Sequence, residues 1–287
     1  MNILEILKAL VPHFSHFEDS EIVIGGKSVG FQTVMVDSTH LPYAGGFGSS
    51  LNLARRICAA EAIERSYFFT LSEASEVDKA AFLMNEFPSS CGFAAGFELA
   101  PTIFRAQCEA IERWTWSQWV DQEQEMPQAA SPMLGEVEKK FAGVFDRVAF
   151  FEKQISCDQI PELSNQQIVF SAVIGQKGKG IFPGSRVSGL KDNRWGHGLL
   201  EAWRHLKVFE GSQQKRFDNV IDQRIIKFGN NGADTLKNLR SFANPWATTP
   251  VLRISKAVAN KSGYHVHRSL CHDYVGWDQG DENRFIY

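Results

Sequence analysis

Two copies of one acidic pentapeptide are the residues of this sequence best suited to chemistry. Glu61-Ala62-Ile63-Glu64-Arg65 recurs unchanged as Glu109-Ala110-Ile111-Glu112-Arg113. Glutamates three positions apart stand on one helix face about a turn apart, so both can point at one cation. The arginine that follows adds a permanent charge and several donors suited to phosphate oxygens. Two such helices facing each other would gather four carboxylates, which then need a counter-ion or raised pKa values. A hard divalent ion such as Mg²⁺, shared among carboxylates, water and phosphates, meets that need. A single ExxER is ordinarily a solvated helix face making surface ion pairs. The identical second copy, again behind a glycine-rich loop, turns the reading toward a site built on pseudo-symmetric halves. A weaker echo, Leu200-Glu201-Ala202-Trp203-Arg204, follows Gly196 and Gly198.

The elements that must hold these residues can be read from periodicity and turn chemistry. A short amphipathic helix opens the chain, and residues 21–24 and 31–36 read as strands joined by Gly25-Gly26-Lys27-Ser28. The first pentapeptide sits in a helix from about Ser50 to Phe69, with Leu53, Ile57, Ala60 and Glu64 near one face. The glycine loop Tyr43–Gly48 precedes it. A second loop, Cys91–Gly96, leads into a helix from about Ala100 to Val120, with Pro101 in its first turn. Residues 121–140 are polar and read as a long surface connection. Strands follow at 148–151 and 168–174, then a turn at 175–180 into another strand. A third helix spans roughly Trp195 to Glu210, and 251–254 and 265–267 are further strands. Helices and strands alternate irregularly, so the expected class is α+β, as a single domain over residues 1–287.

Composition removes several functional classes. A formal charge of −3 offers no global basic field for nucleic acid or anionic lipid. No apolar run approaches a membrane span, and the first residues do not read as a signal peptide. The odd, scattered set of five cysteines reads as reduced thiols in a cytoplasmic protein. Hydrophobic residues make up 44%, with 22 Phe and 7 Trp, enough for a bulky aromatic core.

A glycine loop and a helix ending in ExxER, twice, with a later helix carrying a further Glu, resembles the YcaO family from about Gly45 to Glu210. The resemblance implies a YcaO-like α+β fold of pseudo-repeated β layers with long helices carrying the ExxER motifs. It implies ATP and Mg²⁺ as cofactors, with Glu61, Glu64, Glu109 and Glu112 at the metal and Arg65, Arg113 and Glu201 at the nucleotide. The implied activity is phosphorylation of a peptide backbone oxygen, leading to an azoline ring (cyclodehydratase chemistry) or a thioamide. The implied partners are a peptide substrate or a leader-binding partner protein, and a homodimer is compatible with the sequence. Phosphoryl transfer asks a protein for positioning and charge neutralisation, which suits this residue set. The alternative is a non-catalytic YcaO-like pseudoenzyme that binds a peptide or partner, its charged residues forming a structural network.

Departures from the family pattern favour that alternative. The Ser of SxxxExxER is Ile57, a GKG-like loop is Gly46-Phe47-Gly48, and a GNTxEEA-like stretch is Gly96-Phe97-Glu98-Leu99-Ala100-Pro101. The third helix has Glu201 with Arg204 where ExxQ is common. Ile57, Phe47 and Phe97 are therefore expected beside the nucleotide position. Glu64→Gln or Glu112→Gln is expected to weaken nucleotide binding and leave the fold intact. The Gly25–Ser28 stretch resembles the end of a Walker A loop but reads better as a hairpin turn. His265, His267, Cys271 and His272 lack structural-zinc spacing and read as a polar strand face.

Overall fold

The computed structural model describes residues 3–130, 132–192, 194–212, 219–261 and 263–285. The first elements are α1 (Ile3–Leu10), β1 (Phe14–Ile24), β2 (Lys27–Asp37), β3 (Pro42–Gly48), α2 (Leu51–Ser72), α3 (Glu76–Ala81), β4 (Phe93–Gly96) and α4 (Leu99–Asp121). After them come α5 (Glu136–Ala142), β5 (Arg147–Ile155), β6 (Ile168–Lys177), β7 (Gly180–Gly189), α6 (Arg194–Ser212), α7 (Val220–Asn230), α8 (Ala233–Ser241), β8 (Leu252–Lys261) and β9 (Tyr264–Cys271). The chain divides into two units, Met1–Gln107 with Ile254–Leu270, and Cys108–Arg253 with Cys271–Tyr287.

In the first unit β1, β2 and β3 form an antiparallel meander. Gly25 and Gly26 turn β1 into β2 at φ +58° and +73°, the left-handed pair that a two-residue hairpin of matching twist requires. This is the stretch that resembled a phosphate loop. Residues Tyr43–Gly48, expected as a loop, are strand β3. Ala44, Gly46 and Gly48 alternate onto its buried face, and the absence of side chains lets α2 lie against the backbone. A Cβ on Gly46 would stand 2.1 Å from the Ala54 carbonyl oxygen and 2.3 Å from the Cys58 nitrogen. Gly46→Ala should therefore cost about 1–3 kcal/mol or more through forced displacement of α2, visible as a lowered thermal midpoint. Ser50 caps α2 by accepting from the Leu53 amide at 3.3 Å, the usual satisfaction of a first-turn donor. A second sheet, in the order β4-β9-β8, joins a core of Met35, Cys58, Ala59, Ala62, Ile63, Phe93, Ala95 and Val266.

The second unit repeats the arrangement. β5, β6 and β7 form another antiparallel meander, and α6 lies on β7. Gly184 meets Gly198 and Ala202 as Gly46 meets Ala54 and Cys58. Residues 168–175 of β6 are buried on both faces. Trp116 and Trp119 stack at 5.0 Å between ring centroids, and Phe170 meets the Trp116 ring edge-on at 5.7 Å. Such aromatic pairs add stability beyond their buried area.

The like halves are thus not the two halves expected from the identical pentapeptides. The meander-and-helix unit that carries Glu61 matches the one that carries Glu201, while the second pentapeptide rides on α4, behind the single strand β4. The turn expected at 175–180 narrows to Gly178-Lys179. Helices α3, α5, α7 and α8 lie where no helix was expected, α5 beginning inside the supposed 121–140 connection and running past it.

Candidate functional site

In the first unit, the two glutamates of α2 are tied to two different strands. Oε2 of Glu61 accepts from the Gly45 amide of β3 at 3.2 Å, and its Oε1 pairs with Arg65 at 2.8 Å. Oε1 of Glu64 accepts from the Ala95 amide of β4 at 2.7 Å. The helix spacing that suggested a shared cation also suits a helix buttressed between two strand ends.

Ala95 in turn lines a cleft of about 290 Å³. Ile57, Phe97 and Pro101 meet in its wall, beside Arg56, Glu98 and Arg105. Three of the family departures therefore share one place. Phe47 does not line it; its ring covers Gly30 of β2, 2.8 Å from where a Cβ would stand. Its expected place beside the other two is not what the fold provides, because Gly46 and Gly48 occupy the face of β3 toward α2.

Arg56 and Phe97 also line a larger cleft of about 980 Å³. Its other walls are Lys8, His16, Asn52 and Arg55 with the rings of Phe14 and Phe17, and no carboxylate lines it among the described residues. Arg55 is engaged with Asp19, whose carboxyl is held below its ordinary range chiefly by that arginine. Lys8 and Arg56 are the remaining permanent cations of a cleft walled with aromatic rings. In a protein of net charge −3, this is a local surface for an anion with a flat apolar body. Lys8, Asn52 and Arg56 were missed by sequence reasoning. Each looks like an ordinary solvated position on an amphipathic helix, and only the turn of the chain brings α1 near the start of α2.

In the second unit, Glu112 and Glu201 come together on one residue of β7. The Ser185 hydroxyl donates to Oε1 of Glu112 at 2.7 Å, and the Ser185 amide donates to Oε2 of Glu201 at 2.9 Å. The Val187 amide donates to Oε2 of Glu112 at 3.1 Å. Oε1 of Glu201 faces His197 at 3.4 Å. Burial works against the charge of Glu201, but His197 and the Ser185 amide outweigh it and bring its carboxyl down to about 2. His205, one turn on, is pushed down by burial while its Nδ1 bonds the Pro183 carbonyl at 2.7 Å. Arg113 sits 3.6 Å from Glu109 and 3.8 Å from Glu112. Its guanidinium lies 3.4 Å from the centroid of the Trp277 ring, a stack that orients the charge. Trp277 gave no sequence signal, since it lies far along the chain in no motif.

Among the described residues no three of His, Cys, Asp and Glu are grouped to hold a metal by themselves. The His265 and His267 strand face is polar: His265 bonds Asn260 and His267 bonds Ser255. No described helix is long and apolar enough to cross a membrane.

No family model and no curated protein matches the sequence. Solved structures do match by fold. The YcaO protein of Methanopyrus kandleri, solved bound with AMPPCP and Mg²⁺, superposes with a TM-score of 0.63 at 13% identity, over 100% of this chain and 94% of that one. A chain of the E. coli microcin synthetase McbBCD complex with pro-MccB17 bound gives 0.60 at 11%, over 90% and 88%. A heterocyclase in complex with substrate and cofactor gives 0.58 at 10%, over 96% of this chain and 53% of that one. The meander-and-helix halves and the three solved neighbours lead to one assignment: this α+β chain has the fold of the YcaO proteins.

Proposed function

We propose that the protein binds ATP with Mg²⁺ and uses it to activate a backbone amide of a peptide, forming an azoline or a thioamide. The observation that carries this reading is the cationic, ring-walled cleft of about 980 Å³ in the first unit. Arg56 and Lys8 would meet phosphate oxygens there, and Phe17 or Phe97 would offer a ring face to the base. Its neighbouring cleft runs along α2 to Ala95, the strand residue whose amide holds Glu64.

The residues fit the metal. Mg²⁺ takes one or two carboxylates and completes its shell with phosphate oxygens and water, so no ready-made cluster of three is needed. Glu61 and Glu109 keep about 30% of their side chains exposed, 29% and 30%, so an ion with its water could reach part of each carboxylate. By the resemblance, Glu61, Glu64, Glu109 and Glu112 are the carboxylates proposed for the ion. Arg65, Arg113 and Glu201 complete the charged set for the nucleotide. When bound, ATP supplies the phosphoryl group that makes the amide oxygen a leaving group. The chain's part is to hold the phosphates, neutralise their charge and exclude water. The peptide would come directly or through a leader-binding partner, as the substrates named for the microcin synthetase and heterocyclase neighbours suggest.

A second reading has its own support. Ile57, Phe97 and Pro101 together give the smaller cleft apolar walls, which favours a non-catalytic relative that binds a peptide or partner. One titration separates the two. Millimolar ATP with Mg²⁺ should raise the thermal midpoint, by about 2.7 kcal/mol of added stability at a hundredfold excess over Kd. ATP without Mg²⁺ should do so far less. No shift, with and without any co-encoded partner, would remove the nucleotide reading and leave the binding protein.

A further inference from the structure

We propose that the smaller cleft of the first unit, about 290 Å³, is a pocket for one apolar side chain of a peptide that carries an acidic residue beside it. Ile57 sets the apolar preference and Arg105 the acidic one. The inference rests on the peptide in the reading above, which the enzyme and the binding protein both need, and not on ATP. Leu53, Ile57 and Ala60 follow one another at helical spacing on α2, and Phe97 and Pro101 complete the apolar wall. Leu53 and Ile57, one turn apart, are 42% and 41% exposed. The apolar stripe of a helix ordinarily faces a core; this one faces an open cleft.

The hydrogen-bond donors beside that stripe are already spent. The Ala95 amide donates to Glu64 at 2.7 Å, and the Ala95 carbonyl accepts from Arg105. The Thr102 hydroxyl donates to the Glu98 carbonyl at 2.6 Å. A side-chain carbonyl or carboxylate buried against these two residues would lose its water without recovering a donor from them, whereas an aliphatic side chain gains from burial. The volume agrees. It lies at the foot of the range of whole small-molecule sites, about 300–1,000 Å³, and suits a side chain better than a nucleotide.

The acidic neighbour is read from the charges. Arg56 and Arg105 both line the cleft, and neither meets a carboxylate among the described residues. Arg56 lies 5.8 Å from the centroid of the Phe97 ring. Glu98 is the single acid of the lining, so the patch carries a surplus of positive charge. A second copy of the same patch would double that surplus, and an acidic side chain relieves it. Arg56 also lines the larger cleft, where the reading above assigns it to phosphate, which leaves Arg105 for the carboxylate of the peptide.

The test uses the full chain and a fluorescein-labelled heptapeptide of glycine and serine with aspartate and leucine at its centre, followed by anisotropy. Replacing the leucine with serine should weaken binding about tenfold or more, from the lost burial of one aliphatic side chain. Replacing the aspartate with asparagine should weaken it about threefold, the worth of an exposed ion pair. In Arg105→Gln the aspartate and asparagine peptides should bind alike. In Ile57→Asn the preference for leucine over serine should fall to about threefold or less. The comparison of peptides on the natural chain stands by itself if a variant does not fold. No binding of the leucine peptide, equal binding of the leucine and serine peptides, or a leucine preference untouched by Ile57→Asn overturns the pocket. So does a loss of ATP affinity or of self-association in Ile57→Asn with the peptide preference unchanged, which assigns the cleft to the nucleotide or to a second copy. A separate ATP titration of the natural chain tells the two failures apart. A chain that binds the peptide and not ATP keeps the pocket and loses the nucleotide reading; one that binds ATP and not the peptide loses the pocket alone.

Discussion

Glu112→Gln should lower both the melting temperature and nucleotide affinity, whereas Glu64→Gln should lower affinity with little change in melting. The difference lies in how deeply each carboxylate is buried. Glu112 is buried and accepts on both oxygens, from the Ser185 hydroxyl and the Val187 amide. A glutamine has one acceptor oxygen, so its NH₂ must oppose either a hydroxyl proton or a backbone N–H. One buried donor is left unmet, at a cost of about 1–3 kcal/mol. For a unit of this size that is a fall of roughly 2–12 °C. Glu64 is half-buried and accepts from the Ala95 amide; a glutamine can keep its carbonyl there with water within reach of the rest of its amide. From sequence both replacements are expected to spare the fold; the burial of Glu112 argues for a different outcome there. Thermal melts of both variants, followed by Mg²⁺-ATP titration, check it. Equal melting of the two would show that the Val187 bond does not carry the weight given to it.

Arg224→Met should be the most destabilising single change in the second unit. Arg224 is wholly buried on α7 and donates to three carbonyls of the C-terminal segment: Asp281 at 2.9 Å, Gln279 at 2.6 Å and Trp277 at 2.5 Å. Methionine fills much of the volume but removes all three bonds, leaving Gln279 only its 3.2 Å bond from Arg284; with hydrogen bonds to a charged group worth about 1.5–3 kcal/mol each, the loss should reach about 3–5 kcal/mol. Burial pushes the Arg224 pKa down, but a guanidinium stays charged at neutral pH. Arg284 braces the same segment through Asp121, at 2.6 Å, and the Gly276 carbonyl. The segment carries Trp277 onto Arg113, so its release should also be read at the site. The expected result is a midpoint lower by roughly 6–20 °C, with tryptophan fluorescence shifting to the red as Trp277 is exposed. A melting loss of under about 1 kcal/mol, the worth of a single neutral hydrogen bond, would show the segment to be held by its apolar residues.

How far the sequence alone reached can be seen at particular residues. The helices that carry Glu61, Glu112 and Glu201 were legible because a 3.6-residue pattern and its caps are local properties. So was the Gly25-Gly26 hairpin, since two adjacent glycines between strands ask for positive φ. The YcaO resemblance rested on a repeated pentapeptide, and the fold agrees with it. What the repeat meant was not legible. Glu61 and Glu64 each accept from a different strand, and Glu201, outside the identical pentapeptides, accepts from a strand amide as Glu61 does. The strand at Pro42–Gly48 was hidden for a related reason: its glycines exist for the close approach of α2, and close approach is a tertiary fact. Ser185, Trp277, Arg224 and Lys8 gave no signal at all. Their roles arise from single contacts between residues far apart in the chain, and no local rule of spacing or periodicity can encode those.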